Sequence, residues 1–543
     1  MAPRIRRSIR ELEAEYHRGD RKALEDLIRA WKGIQELPPD DPNSFFTIAG
    51  YHGEPFRGAG WGNSQWWGGY CNHGNVLFPT WHRVYVLTLE NALRSIPGCG
   101  DVTLPYWDET DQETEQNGLP PIFLAKTFTL DGQQITNPLY SYTFQRDIFD
   151  NLSPFPDFDY TKHAGYKTVR YPFSGLVGDA DIEKTVKHNE VYNAMSEEEV
   201  NTILNDNVQN WLGFGIKLNT GKFLYTGTRE KYKACLDAPN YTVFSNTTSA
   251  TQWNEDHFGV RKWSEAGSPT PATQAVVPLE SPHNDMHLAI GGFDLPASPT
   301  RPGVDEQSFD AIADANGDMG ENDTASFDPI FFFHHCFIDR MFWLWQQRHN
   351  STKSLEIIYG YPGTNTVDSQ GPTPGVAANT WLTMDSPLAP FDIATGVPFK
   401  SSYVVDIENT LKYTYASPPH SQPNAPLLGA PRAPAPPTLR VSGLNRAAIS
   451  GSFVLSVYAT LEGNTTPQLV GVESVLSRWH TSGCANCQNH LNVKAFVPLH
   501  GLTHEEAQKA EIRVGKVTRR AVEGKGRPGK PVHKVGMIVG RKD

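Results

Sequence analysis

Nowhere does this chain of 543 residues reach the ~18 consecutive apolar residues that a membrane-spanning helix needs. Its opening stretch, MAPRIRRSIRELEAEYHRGD, has no apolar core of the kind a secretory leader carries. Cysteine is scarce. The six present (Cys71, Cys99, Cys235, Cys336, Cys484, Cys487) are too few for a disulfide framework at this size, so a reducing, cytoplasmic location is the expectation. Positive charge is in deficit: 48 Lys and Arg face 60 Asp and Glu, a formal net charge of -12. That balance excludes nucleic acid and an anionic membrane as main partners. Only the tail from 513 to 543 is basic, and it reads as a solvated end. No internal repeat is visible.

Aromatic residues are plentiful, with 13 Trp, 20 Tyr and 27 Phe, and the length allows a large core in two domains. The segment 417–438, SPPHSQPNAPLLGAPRAPAPPT, is rich in Pro and Ala and reads as an extended, semi-rigid linker. Before it, residues 1–416 show helical patterns set among Gly-, Pro- and Asn-rich loops. Ile5, Ile9, Leu12 and Tyr16, then Leu24, Leu27, Ile28 and Trp31, recur at helical spacing. After it, residues 439–543 carry SGSFVLSVYATLEG, LNVKAFVPLHG and KAEIRVGKV. These β-branched runs are bounded by turn residues, which predicts a small β-sandwich-like domain.

Three apolar segments carry histidine. In CNHGNVLFPTWHRVYVLTLE, His82 heads a stripe continued by Val86, Leu89 and Leu93 at helical spacing, and His73 lies in the loop before it. In LESPHNDMHLAIGG, His283 and His287 are four residues apart, so they project from one face of a helical turn and can grip one ion. In DPIFFFHHCFIDRMFWLW, His334 and His335 are neighbours, about 100° apart around a helix. Each segment alone has a plainer reading: a satisfied core histidine, a chance spacing, an aromatic core strip. His52, alone in its loop, reads first as an ordinary histidine. Together they exceed what packing requires, because buried imidazoles cost free energy unless paired or bound to metal. Imidazole donors suit Cu, Zn, Fe and Ni. Two ions with three imidazoles each would account for the count.

The run His73, Phe78, Trp81, His82, Arg83 and Glu90 resembles the copper-A signature of tyrosinases. Asp328, Pro329, Phe331, Phe332, His335 and Asp339 resemble the copper-B signature, in the family's order. The resemblance implies a tyrosinase or polyphenol oxidase of the type-3 copper class, in a long form with a C-terminal covering domain. It implies a mainly α catalytic domain, a loop-rich four-helix bundle holding two copper ions. By motif, His52, His73 and His82 would hold one copper and His283, His287 and His335 the other, with His334 orienting them. Cys71, two residues before His73, matches a cysteine that forms a thioether to that ring in fungal and plant relatives. The implied activity is o-hydroxylation of monophenols and oxidation of o-diphenols to o-quinones with O2.

Further implied roles follow. Glu280 and Asn284 would hold the water that takes the phenol's proton, although Glu280 could equally be a carboxylate capping its helix. Leu288 would control access. Cys484 and Cys487, a CxxC, would load copper, and Trp479 is a candidate plug over the site. Tyr413-Thr414-Tyr415 resembles the motif closing the catalytic domain, with Arg6 or Arg7 as a cation–π partner. Cys336 reads as core. The alternatives are a catechol oxidase without the first activity and a haemocyanin-like oxygen carrier. The partners are small phenols and O2, and a homo-oligomer stays open.

Overall fold

The computed structural model describes residues 2–56, 69–149, 161–175, 182–213, 216–217, 223–224, 227–258, 275–291, 317–366, 373, 375–377, 379–416, 436–446, 452–477, 492–518 and 534–538. Most of the linker (417–435), Trp479, Cys484 and Cys487 lie outside the described residues.

The helices that matter are α1 (Ile9–His17), α2 (Lys22–Glu36), α3 (Phe45–Gly50), α4 (Phe78–Ser95), α5 (Glu197–Leu212), α6 (Thr228–Cys235), α7 (Glu280–Gly291) and α8 (Ile330–Arg348). The spacing of Leu24, Leu27, Ile28 and Trp31 does produce an amphipathic helix, α2, with those four residues fully packed inside. Helix α4 starts with Pro79 in its first turn, where the missing N–H costs nothing. It buries nearly its whole length, packed on α2 and α8. Helix α8 is wholly interior for most of its course, its polar His334, His335, Asp339 and Arg340 buried along with the aromatic residues, as the aromatic run suggested. Helix α7 rests on α5 and α6, and every one of its residues is buried.

Ile5 departs from the expected helix. It lies in a strand, β1 (Arg4–Arg6), which pairs in parallel with β2 (Tyr413–Tyr415), and its side chain is exposed. The pairing joins the two ends of the helical region, and a partner some four hundred residues away leaves no local signal.

This junction centres on two buried carboxylates. Arg6 donates to Glu90 at 2.7 Å and to Asp339 at 3.3 Å, and its guanidinium lies 3.7 Å from the centre of the Tyr413 ring. Arg6, not Arg7, is therefore the cation–π partner of the tyrosine motif; Arg7 pairs with Glu11 and Glu15 on α1. Asp339 also accepts from Arg83 at 2.5 Å and from the hydroxyls of Tyr413 and Tyr415 at 2.6 and 2.5 Å. Burial alone would raise the Asp339 pKa, but Arg83 and Arg6 outweigh it and hold it below the ordinary value. The charged residues of the two signatures thus rivet α4 and α8 together, and Cys336 is buried beside them as core.

The C-terminal strands are β3 (Thr438–Asn445), β4 (Phe453–Thr460), β5 (Gln468–Val475), β6 (Asn492–Pro498), β7 (Glu511–Thr518) and β8 (Lys534–Ile538). They form two antiparallel three-stranded sheets, ordered β6-β3-β8 and β5-β4-β7. Leu439, Val441, Leu455, Val457 and Val497 interleave between the sheets, giving the sandwich-like unit the alternation predicted. Its other face is not free: Val454, Leu469, Val472 and Leu476 join the core of the helical region.

Removing Arg6 takes a buried cation from two carboxylates, leaving Glu90 with the half-buried Arg4 and Asp339 with Arg83. Arg6→Ala should cost about 3–5 kcal/mol in denaturant unfolding. A loss below about 1 kcal/mol would mean that the cluster behaves like a surface ion pair.

Candidate metal centre

The seven histidines of interest arrive on five separate pieces of chain. His52 follows the short helix α3, whose start is capped by Ser44 accepting from the Thr47 N–H at 3.1 Å. His73 sits in the loop before α4, His82 in the first turns of α4, His283 and His287 on α7, and His334 and His335 on α8. All seven are buried.

They collect into two facing groups. Ring centres of His52, His73 and His82 lie 5.1–5.7 Å apart. Those of His283, His287 and His335 lie 4.5–5.5 Å apart. Across the gap, His82 stacks on His335 at 4.6 Å and His73 approaches His283 at 5.6 Å.

The hydrogen bonds decide what these rings can do. His287 donates from Nδ1 to the Met319 carbonyl at 2.8 Å, and His283 donates from Nδ1 to the side-chain oxygen of Asn284 at 2.9 Å. With the proton on Nδ1, each presents a bare lone pair at Nε2. Yet those two Nε2 atoms are 3.0 Å apart, and each is 3.3 Å from Nε2 of His335. Lone pairs turned on one another in a dry interior repel unless a cation sits among them. In the other group, His52 donates from Nδ1 to the Asn322 carbonyl and His82 from Nδ1 to the Phe78 carbonyl, both at 2.8 Å. Nε2 of His82 is buried with no hydrogen-bond partner among the described residues. His335 is oriented differently. Its Nδ1 has no such acceptor among the described residues, and the ring is clamped between Phe331, stacked at 4.0 Å, and His82.

Burial pushes the imidazoles of His82, His283, His287, His334 and His335 toward the neutral form that binds metal. The pKa values of His82, His283 and His335 are driven well below the ordinary value, first by desolvation and then by neighbouring rings. His287 and His334 are driven to about 3, again by desolvation first. Uncharged nitrogen donors, held by outward Nδ1–H bonds and pointing inward, fit a metal ion in each group. His334 is close enough to be counted among the donors of the second group. However, its Nδ1 donates to Glu109 at 2.6 Å, and Glu109 also accepts from the hydroxyl of Tyr232.

Around this centre, Cys71 Sγ lies with the ring nitrogens of His52 and His73 in one compact donor group. Leu288 follows His287 and is fully buried. Glu280, the first residue of α7, does not cap its own helix as one sequence reading had it. Its carboxylate instead accepts from the Gly74 N–H at 2.8 Å and from the N–H and hydroxyl of Thr247 at 2.8 and 2.9 Å. Burial raises its pKa, and those donors oppose the rise.

The family model described as "Common central domain of tyrosinase" matches residues 42–348, a span that contains all of these histidines. The chain is 50% identical over 512 residues to a tyrosinase of Aspergillus oryzae, covering 93% of this chain and 90% of that one. The chain belongs to the tyrosinase family. A tyrosinase of Hahella sp. is 49% identical over 526 residues, with the same coverage of 93% and 90%. The solved tyrosinase of Burkholderia thailandensis at low pH superposes with a TM-score of 0.81 at 43% identity, covering 98% of this chain and 100% of that one. Tyrosinases are dinuclear copper proteins, and the two histidine groups here are where copper can be held.

The C-terminal sheet reaches α7 directly. Glu473 on β5 accepts from the Ser281 hydroxyl at 2.9 Å and from Lys231 at 2.7 Å, and Lys231 also pairs with Asp285 at 2.9 Å. Ser474 hydrogen bonds to the same Asp285. Between sheet and helix is a cavity of about 240 Å³, lined by Asn284, Ser281, Thr247, Lys231, Arg446 and Glu473. The roles of Glu109, Met319, Asn322, Lys231 and Glu473 had no sequence signal: two act through backbone carbonyls and the others through contacts remote in the chain.

The metal-free protein should lose stability in acid. Unfolded histidine titrates near ~6.5, whereas His287 and His334 in the fold titrate at about 3. The unfolded state therefore binds more protons in between, so stability is full above the unfolded value and falls as pH drops toward 3. Denaturant midpoints of the copper-free chain should decline through that window. A flat profile would mean that the rings are not buried in the neutral form.

Proposed function

We propose that His52, His73 and His82 hold one copper ion and His283, His287 and His335 the other. With them the chain hydroxylates monophenols and oxidises the resulting o-diphenols to o-quinones with O2. The observation that carries this is the convergence of the Nε2 atoms of His283, His287 and His335 at 3.0–3.3 Å, with Nδ1 of His283 and His287 anchored outward so that their Nε2 lone pairs are bare. When bound, the copper pair supplies the O2 and electron-transfer chemistry. The protein binds the phenol, excludes water and moves protons.

A phenol titrates near ~10, so a monophenol reaching copper needs a proton acceptor. Glu280 and Asn284 supply it through a shared water. Glu280 is held by three hydrogen bonds, and its raised pKa makes it a better base than an exposed carboxylate. Asn284 spends its oxygen on His283, which leaves its amide N–H2 to face the lined cavity. Leu288, aliphatic and buried, leaves room for a ring without a hydrogen-bonding demand. Cys71 would form a thioether to a ring carbon of His73, the S–H and ring C–H hydrogens and their two electrons passing to O2 to give H2O2, with the bound copper supplying the redox chemistry. That bond fixes the ring and removes a free thiol from copper's reach.

Residues 1–416 form the catalytic domain, 417–438 the linker and 439–543 a cover that keeps the enzyme latent. The grip of Glu473 and Ser474 on Lys231, Ser281 and Asp285 supports that reading, because Asp285 lies between two ligands on α7.

Oxygen uptake on tyramine and on catechol, before and after proteolysis in 417–438, tests this directly. Both substrates should be oxidised, faster after cleavage. Catechol alone would indicate a catechol oxidase, and no turnover with reversible oxygenation an oxygen carrier. Glu280→Gln should lower the monophenol rate by about 10²–10⁴-fold while sparing catechol; equal losses on both would remove Glu280 as the base. Mass spectrometry of the peptide bearing Cys71 and His73 should find it lighter by two hydrogens, and an unmodified mass after copper loading in air would contradict the thioether.

A further inference from the structure

One short stretch of backbone touches both histidine groups. It runs from Asp318 to Asp323, opening with a 3-10 turn at Asp318–Gly320 and ending just before another at Ala325–Phe327. The Met319 carbonyl takes the Nδ1–H of His287, and three residues later the Asn322 carbonyl takes the Nδ1–H of His52, both at 2.8 Å. The next carbonyl, of Asp323, accepts from the N–H of Glu54 at 3.0 Å, two residues beyond His52. The Asn322 amide reaches Cys71 Sγ at 3.8 Å.

The stretch is stiff and separately anchored. Successive turns close it, Glu321 N–H to the Asp318 carbonyl at 3.1 Å and Thr324 N–H to the Glu321 carbonyl at 3.3 Å. Gly320 lies so close to Gly291, the end of α7, that a Cβ on Gly291 would collide with the Gly320 backbone nitrogen. At its start, Asp318 Oδ2 accepts from the Tyr166 hydroxyl at 2.7 Å and the Val169 N–H at 2.8 Å, and its backbone N–H donates to the Val169 carbonyl at 2.9 Å. The Lys162 ammonium stands 3.8 Å from the other carboxylate oxygen. These partners belong to none of the three ligand-bearing helices.

We infer that Asp318–Asp323 is a strut that sets the separation between the two metal half-sites, with Asp318 as its positioning residue. His52 and His287 come from opposite groups and from segments that share no helix. A hydrogen bond to Nδ1 fixes the rotation of a ligand ring and the direction of its Nε2 lone pair. When two such acceptors lie three residues apart on one rigid turn, any shift of the turn moves one ligand of each metal together. A strut of this kind is suited to a reaction that needs both ions at one distance.

The inference rests on the two-copper reading, so wild-type copper content is measured first: fewer than two per chain sinks that reading itself. With two present, Asp318→Asn keeps the shape but turns an N–H2 toward Lys162 or toward its former donors. It should bind two copper ions yet release both to a chelator about 10–100-fold faster, in one phase rather than two. Two Cu(II) ions held at bridging distance couple their electrons and give little electron paramagnetic resonance signal; the oxidised variant should show a clear one. Tyr166→Phe, which removes a single bond to the anchor, should shift both readouts in the same direction by less, and it decides the matter if Asp318→Asn fails to fold. Wild-type release and silent resonance in the folded variants, or loss from one site alone, would overturn the inference.

Discussion

Uncharged imidazoles crowded into a dry interior impose the constraint on which this structure depends. Five of the seven rings have Nδ1 satisfied by protein, which leaves Nε2 as the nitrogen with a lone pair to give. For His52, His82 and His287 the outward partner is a backbone carbonyl, for His283 it is Asn284, and for His334 it is Glu109. An interior built this way is unfavourable without a cation, and the neighbouring rings reinforce the neutrality that burial begins. The metal is thus part of what makes the arrangement tolerable.

Much of the surrounding fold reads as a frame for that crowd. Helices α4 and α8 face one another through His82 and His335, and the same two helices are tied by Arg83 to Asp339 directly and by Glu90 to Asp339 through Arg6. That cluster draws in β1 and β2, so the ends of the helical region close onto the frame. On the other side, α7 is pressed between α6 and strand β5, with Lys231 neutralised by Asp285 and Glu473 at the contact. A buried ammonium of this kind is stable only while both carboxylates stay, which links the seating of the C-terminal sheet to the helix that carries His283 and His287.

The sequence was informative where chemistry repeats at short range. His82 with Val86, Leu89 and Leu93, the pair His283 and His287, and the aromatic run around His335 all declared helices, because a buried stripe recurs at the helical period. The β runs after the linker were equally legible from alternation. Ile5 misled, since its β-pairing with Thr414 comes from the opposite end of the helical region and overrides local periodicity. Glu280 was singled out, but the partners of its carboxylate, Gly74 and Thr247, are distant in the chain. Met319 and Asn322 were invisible in principle: they act through carbonyl oxygens that every residue possesses, and only the fold assigns them. Asp318 and Glu109 are single acids with no spacing to mark them.

The most direct test of the central claim is anomalous diffraction at the copper edge from crystals of the full chain. Two peaks should appear, one enclosed by His52, His73 and His82 and the other by His283, His287 and His335, each within bonding distance of Nε2 atoms. A single peak, or copper found away from these six rings, would contradict the account.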